Sequence, residues 1–296
     1  MTKKQRLFVG RALLTLVASS IALAFLLPTV FTFTNSLMSQ SELTTNYGVV
    51  FSSAAGLGSG FVSNTVNLKF IPDKVTFAQY STTFIQSPEY LLKFWNSAKY
   101  VLPIVVFQIV IACLAAYGFT RYRGRIREII FFFYIILMLM PYQVTLVPNY
   151  LISDWLGILG KPIAIVLPGV VAPFSVFLIT KFMRRIPQSL IEAGKLDGAG
   201  EWQIFWHICL PMCRSVIYSV VILVFIDYWN MVEQPIILLD NADQMPLSVF
   251  LSQINTQEVG LAFAVATIYM VPTLLLFLHG EEYLIEGITY SGAIKG

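Results

Sequence analysis

Residues 98–119 read AKYVLPIVVFQIVIACLAAYGF, a run whose one charge, Lys99, stands at its edge. A helix rises about 1.5 Å per residue, so such a run covers the roughly 30 Å of a bilayer's hydrocarbon core. Five further runs share this character: 12–33, 129–150, 162–182, 215–235 and 261–279. None alternates polar and apolar residues as a barrel strand does, so the backbone must satisfy its hydrogen bonds within helices. Composition agrees: of 296 residues, 57% are hydrophobic and 12% charged, against about a quarter charged in soluble domains. Mean hydropathy is +0.74. A soluble enzyme of ordinary type and a disordered chain are both excluded. A net charge of +3 leaves no footprint for nucleic acid, and three cysteines make no disulfide framework. The expectation is an all-α membrane protein with six transmembrane helices.

The first run follows Lys3, Lys4, Arg6 and Arg11 and contains Ala22-Leu23-Ala24, a triplet seen at signal cleavage sites. Apolar residues continue past it to Phe33, so it reads as a retained helix. With the N-terminus inside, fourteen of the nineteen Lys/Arg fall on cytoplasmic segments, and the outer side keeps Lys69, Lys74, Lys93, Lys99 and Lys161. Positive charge retained inside therefore predicts cytoplasmic N- and C-termini. The chain divides into 1–33, the N-terminus and first helix; 34–97, an extracytoplasmic loop; and 98–296, a five-helix core with a cytoplasmic loop at 183–214 and a tail at 280–296. In the outer loop, Gly56, Gly58 and Gly60 lack the lysine-serine ending of a phosphate cradle and read as flexible chain. Phe77, Tyr80 and Phe84 share a helical face suited to the membrane interface.

The 183–214 loop carries the most information. It contains Pro187-Gln-Ser-Leu-Ile-Glu-Ala-Gly-Lys-Leu-Asp-Gly-Ala199. Ser189 and Glu192 have capping-box spacing, which predicts a short helix starting at Ser189. Ala193 and Gly194 are small enough for close seating in a groove, and Asp197-Gly198 supplies a turn with Gly198 free to take positive φ. A second helix is expected from about Glu201 to Cys209, carrying Trp202, Phe205 and Trp206 and stopping at Pro211. Two short helices at an angle beneath the bilayer suit attachment to a partner; a structured connector is the plainer alternative.

These residues resemble a known family. Glu192-Ala193-Gly194, Gly198 and Ile208-x-Leu210-Pro211 are similar to the EAA motif (E-A-A-x3-G-x9-I-x-L-P) of permease subunits in bacterial binding-protein-dependent ABC importers, with Gly194 in place of the second Ala. Asn96-Ser97, Ala116-Tyr-Gly-Phe-Thr-Arg121, Met140-Pro-Tyr-Gln-Val-Thr-Leu-Val-Pro-Asn149 and Arg185-Ile-Pro187 resemble the carbohydrate-uptake branch. Gly292-Ala-Ile-Lys-Gly296 resembles the tail of the maltose-type second permease subunit. The likeness covers roughly 70–296, and 45–70 looks like an insertion. It implies that the first short helix is a coupling helix docked in a cleft of a cytoplasmic ATPase. Glu192 would be its charge partner, Ala193, Gly194 and Leu196 its packing surface, and Asp197 and Gly198 its turn. Lys295 and Gly296 would be a tail contact. The implied partners are a second, homologous permease, two ATPase subunits, an extracytoplasmic solute-binding protein and a saccharide, in a bacterial cytoplasmic membrane. The chain lacks G-x-x-x-x-G-K-[ST], so no cofactor is expected on it; ATP and Mg belong to the partner.

Polar residues inside spans mark cavities or helix contacts. On a continuous fifth span, Asp227, Asn230 and Gln234 share one face. With Tyr228 and Trp229 they offer acid, amide and ring groups for the hydroxyls and C–H faces of a sugar, although the aromatics also suit an interfacial belt. Gln143 and Asn149, beside the helix-breaking Pro141 and Pro148, are further path candidates. Gln108 reads as a helix–helix hydrogen bond and Cys113 as a small buried hydrophobe. His207, Cys209 and Cys213 are too few for a metal site, and none is expected. The alternatives are a permease of the same family for a polyol or glycerol phosphate, and a membrane-embedded enzyme. The enzyme lacks a convergent acid–base set, since Asp227 is the one clearly intramembrane carboxylate.

Overall fold

The computed structural model describes residues 3–54, 67–122, 124–253 and 259–292; the expected flexible stretch around Gly56, Gly58 and Gly60 and the tail residues Lys295 and Gly296 lie outside them. No strand occurs among the described residues. The helices are α1 Lys3–Ser36, α2 Gln40–Ala54, α3 Ala78–Ser81, α4 Pro88–Arg121, α5 Arg125–Met138 and α6 Tyr142–Trp155. Next come α7 Ile163–Gly169, α8 Pro173–Met183, α9 Gln188–Leu196, α10 Glu201–Ile204 and α11 Leu210–Met212. The chain finishes with α12 Arg214–Trp229, α13 Glu233–Leu238, α14 Leu247–Ser252 and α15 Val259–Gly292.

Four stretches are long and apolar enough to cross a bilayer: Gly10–Ser36, Pro88–Arg121, Ile163–Met183 and Val259–Ile285. Two further stretches pass only as bent pairs, α5 with α6 (104°) and α10–α11 with α12 (73°), which raises the number to six if each pair is one span. The 104° bend falls inside the third run at 139–141, where the sequence expects a break at Pro141, whereas Pro148 does not break the chain and stays inside α6. The 73° bend lies at Cys213, ahead of the fifth run, whose own interruption at 230–232 separates α12 from α13. Proline explains the interruption within each run. Pro141 has no N–H to continue α5 and instead sits extended (φ −64°, ψ 143°) ahead of α6. In the fifth run, α12 ends at Trp229 because the Pro235 ring would clash with the carbonyl of Met231 in a continuous helix. That carbonyl accepts from Ser248 Oγ instead, and the Asn230 amide folds back onto the Ile226 carbonyl at 2.7 Å.

By contact the chain forms two units, Met1–Leu91 with Gln253–Met270 and Leu92–Ser252 with Val271–Gly296. In the first, Phe31 meets Tyr47, Phe70 and Phe263 edge-on at 5.7, 5.4 and 6.1 Å. Met38, Leu43 and Tyr47 are buried beside them. The Tyr47 hydroxyl donates to the Lys69 carbonyl (3.0 Å) and accepts its N–H (2.9 Å), so the ends of the 45–70 stretch are fixed into this core. Tyr80 bonds Ser36 at 2.6 Å, while Phe77 and Phe84 stay exposed.

The second unit packs on small residues. A Cβ at Gly169 of α7 would lie 3.1 Å from Ile104 of α4, so a side chain there would press Ile104 aside by a few tenths of an ångström. Gln108 of α4 donates to Ser175 Oγ of α8 at 2.6 Å, the helix–helix bond its position predicts. Phe131 of α5 stacks on Phe177 of α8. Gly280 of α15 lies against Ile222 of α12, where Tyr218 and Tyr283 stack at 4.6 Å.

Candidate functional site

The 183–214 loop candidate is built from local rules. Helix α9 starts at Gln188 with Pro187 at its N-cap and no side-chain cap. This differs from the Ser189 capping box: proline already fixes φ for helix entry (−58°), which puts Ser189 inside the first turn and Glu192 beyond capping reach. Gly198 has φ +83°. The Gly198 N–H bonds the Lys195 carbonyl (3.1 Å) and the Ala199 N–H the Gly194 carbonyl (2.9 Å). That pair is a Schellman termination, which only a residue tolerant of positive φ completes at no steric cost. The chain then re-enters helix at Glu201, where Gln203 Oε1 accepts the Gly200 N–H at 2.8 Å. Pro211 does not stop this second helix. A wider turn over Phe205–Cys209, closed by the Leu210 N–H on the Phe205 carbonyl, shifts the bonding register, and the helix runs on to Met212 before bending at Cys213.

The loop has two sides. Ile191 is buried, and a Cβ at Gly194 would lie 3.0 Å from Ile208 Cδ1, so Gly194 faces α10 and the turn after it. Glu192, Ala193 and Asp197 are exposed, and Leu196 is 89% exposed, an unusual state for leucine at a helix end. Trp202 and Trp206 stack on each other, both largely exposed.

A hub behind the loop involves residues that no hydropathy or periodicity rule singles out. Glu201 Oε1 pairs with Lys195 Nζ (2.7 Å) and Oε2 with Arg121 Nε (3.3 Å). The Tyr117 hydroxyl lies 2.5 Å from Oε2. Lys195 first, then Tyr117 and Arg121, hold the Glu201 carboxyl down at about 2. Nearby, Arg184 lies over the Phe131 ring at 4.7 Å. Tyr117 and Arg121 belong to the quoted Ala116–Arg121 motif, so their pattern was visible though their partner was not.

The path candidates mostly converge. A cavity of about 540 Å³ is lined by Tyr142, Gln143, Asp227, Tyr228, Asn230, Glu233 and Gln234, with no Lys, Arg or His among its walls. The size falls within the roughly 300–1,000 Å³ of small-molecule sites. Gln143 Nε2 reaches Glu233 Oε2 at 3.4 Å. Asn149 lines a neighbouring cavity of about 360 Å³ that shares Tyr142, Tyr228 and Gln234. Trp229 lies elsewhere: it is 2% exposed, packed between Phe94 (5.5 Å, edge-on) and Phe225 (5.1 Å, stacked). Tyr142, Glu233 and Gln234 complete the wall from beyond the breaks in the third and fifth runs. Among the described residues no group of three or more His, Cys, Asp or Glu is placed to hold a metal ion.

Residues 108–280, more than half of the chain, match the family described as binding-protein-dependent transport system inner membrane component. The chain belongs to this family. Over 240 residues the permease is 28% identical to the lactose transport system permease protein LacG of Rhizobium radiobacter, covering 79% of this chain and 87% of that protein. Over 293 residues it is 27% identical to the arabinooligosaccharides transport system permease protein AraQ of Bacillus subtilis, covering 97% of each. Its fold matches a chain of a bacterial ABC transporter involved in import of the acidic polysaccharide alginate, with a TM-score of 0.75 at 19% identity, over 96% of this chain and 98% of that one.

Proposed function

We propose that this permease is one membrane-spanning half of an ATP-driven importer for an uncharged sugar or oligosaccharide. One observation carries the reading: α9 is held by its Schellman end and by Ile191 so that Glu192, Ala193 and Leu196 point outward together. An exposed carboxylate beside exposed small and apolar groups suits docking in a partner's cleft. On this reading α9 is the coupling helix, and Gly194 serves the inner packing of the loop rather than the docking face. The partners are two ATPase subunits, which hold ATP and Mg, a second permease, and an extracytoplasmic solute-binding protein. Six spans cross a bacterial cytoplasmic membrane with both termini inside, the fifth formed by α12, and 34–97 faces the binding protein. Lys295 and Gly296 remain a proposed tail contact.

The saccharide is supported by the cavity's amides, phenols and carboxylates, which suit hydroxyl hydrogen bonding, and by the lactose and arabinooligosaccharide named for the relatives. Asp227, Tyr228, Asn230 and Gln143 would contact it, with Asn149 further along the path. Carboxylates without a cation disfavour an anionic cargo. The test is uptake by the complete importer in lipid vesicles, comparing labelled lactose, arabinooligosaccharide and raffinose with a uronate oligosaccharide. At least one neutral sugar should accumulate with ATP, and Glu192→Lys should abolish that uptake. Accumulation of the uronate alone, or normal uptake by Glu192→Lys, would overturn the reading.

A further inference from the structure

Two regions of the permease lie far apart, and one helix touches both. At one end of α4, Tyr117 and Arg121 hold Glu201, which also pairs with Lys195 of α9. The Tyr117 ring packs edge-on against Phe205 at 5.1 Å. At the other end, Asn96 Nδ2 donates to the carbonyls of Asp243 (2.6 Å) and Met245 (3.3 Å). Buried Ser97 accepts the Leu247 N–H at 3.0 Å, and the Tyr100 hydroxyl donates to the Gln244 carbonyl at 2.7 Å. The 241–248 segment is in turn tied by Ser248 to the Met231 carbonyl, and Met231 lines the larger cavity. Residues 96 and 117 are about 30 Å apart along the helix axis. Pro103 removes one intrahelical bond without interrupting α4.

We infer that the 96–121 stretch of α4 is a rod that carries movement of the coupling loop to the 241–248 segment beside the cavity, with Glu201 as its inner joint and Asn96, Ser97 and Tyr100 as its outer one. The inference rests on the proposed coupling role of α9. Motion of the loop reaches α12 through the peptide bonds at Cys213, but α4 has no short covalent link to the loop. Its motion must pass through side chains, and Glu201 supplies bonds to both sides. Packed helices pass such motion as rigid bodies when the joints at each end hold. The joint residues are positioning residues; none lines the larger cavity.

The test uses the complete importer in lipid vesicles, with a reporter cysteine at exposed position 242 (Ala242→Cys) and an impermeant maleimide; the three native cysteines are buried. Trapping the ATPases with ADP and vanadate should change the labelling rate about tenfold, within the usual span of allosteric couplings. Glu201→Gln and Tyr100→Phe should each abolish that change while the ATPase subunits stay bound, and the double variant should behave as either single one. The rod falls if the change persists in both single variants, if it is absent from the unaltered chain, or if the ATPases dissociate along with it. Glu192→Lys separates the two ideas. Loss of the change there, with Glu201→Gln and Tyr100→Phe unaffected, removes the rod and leaves the coupling loop standing; persistence of the change in Glu192→Lys removes the coupling loop itself.

Discussion

The loop after α8 and the polar cavity are built in opposite ways. In the loop, 188–212, neighbours in sequence are neighbours in space: proline opens α9, a Schellman turn closes it, and Gln203 caps the next helix. Around the cavity, the helices are interrupted at 139–141 and 230–232, and the walls come from segments 90 residues apart. Local bonding gives the loop one fixed shape. Broken helices expose backbone and amides that a continuous span would hide, and inside a membrane such breaks are tolerated where they line a cavity.

The sharpest way to probe that difference is at position 229, where core and cavity meet within one turn. Trp229 is packed between Phe94 and Phe225, whereas Asn230 opens onto the cavity. Trp229→Ala should lower the stability of the purified permease by about 3–5 kcal/mol, the usual cost of deleting a buried aromatic. Asn230→Ala should leave the thermal midpoint close to that of the unaltered chain and change sugar uptake. Equal destabilisation by the two would erase the boundary between core and cavity.

A smaller effect is expected inside the loop. Gly194→Ala needs only a shift of the Ile208 δ-methyl, the far end of a flexible side chain, and should be nearly neutral. Gly194→Leu forces α9 off the helix beneath it and should cost about 1–3 kcal/mol, with loss of ATPase binding. If Gly194→Leu kept ATPase binding and stability, close packing of α9 would not be what orients Glu192.

Below these stands Gly198. At φ +83° a side chain is strained whatever space surrounds it. Gly198→Val should cost about 1–2 kcal/mol, while Gly198→Asn, more tolerant of this region, should cost less. The pair is read out by thermal unfolding of the purified chain, and identical losses would mean that the turn, not its handedness, matters.

Much of this was legible in the sequence because it depends on short spacings. The apolar runs place the helices, and the turn at Asp197-Gly198 appears where Gly198 alone can take positive φ. The spacing of Asp227, Asn230 and Gln234 puts them on one face of a continuous helix. The helix breaks between Asn230 and Gln234, yet the three residues still meet at one cavity because α13 packs beside α6, a contact no periodicity encodes. The Ser189–Glu192 pair has capping-box spacing, but Pro187 caps the helix, which starts at Gln188, one residue early. The hub at Glu201 was hidden for another reason: its partners Tyr117 and Arg121 lie 84 and 80 residues away.

That hub also gives the smallest expected effect. Glu201 has its folded-state carboxyl at about 2, below the ordinary 4.5, chiefly because Lys195 bonds it. A depressed folded value means the contribution is present above about pH 4.5 and is lost as pH falls toward 2. The side chain is half exposed, so solvent screens the pair and the whole contribution should stay below about 1 kcal/mol. The stability gap between the unaltered permease and Glu201→Gln should therefore be steady from pH 7 to 5 and shrink progressively as the pH drops through 4 and 3, as read by chemical unfolding in detergent at each pH. A gap that widened on acidification would mean that Glu201 is destabilised by its surroundings, and the loop would then be held by its apolar contacts alone. The contrast with the cavity sharpens accordingly: a contact worth so little in stability is suited to orienting the loop, whereas Trp229 holds the fold around the cavity.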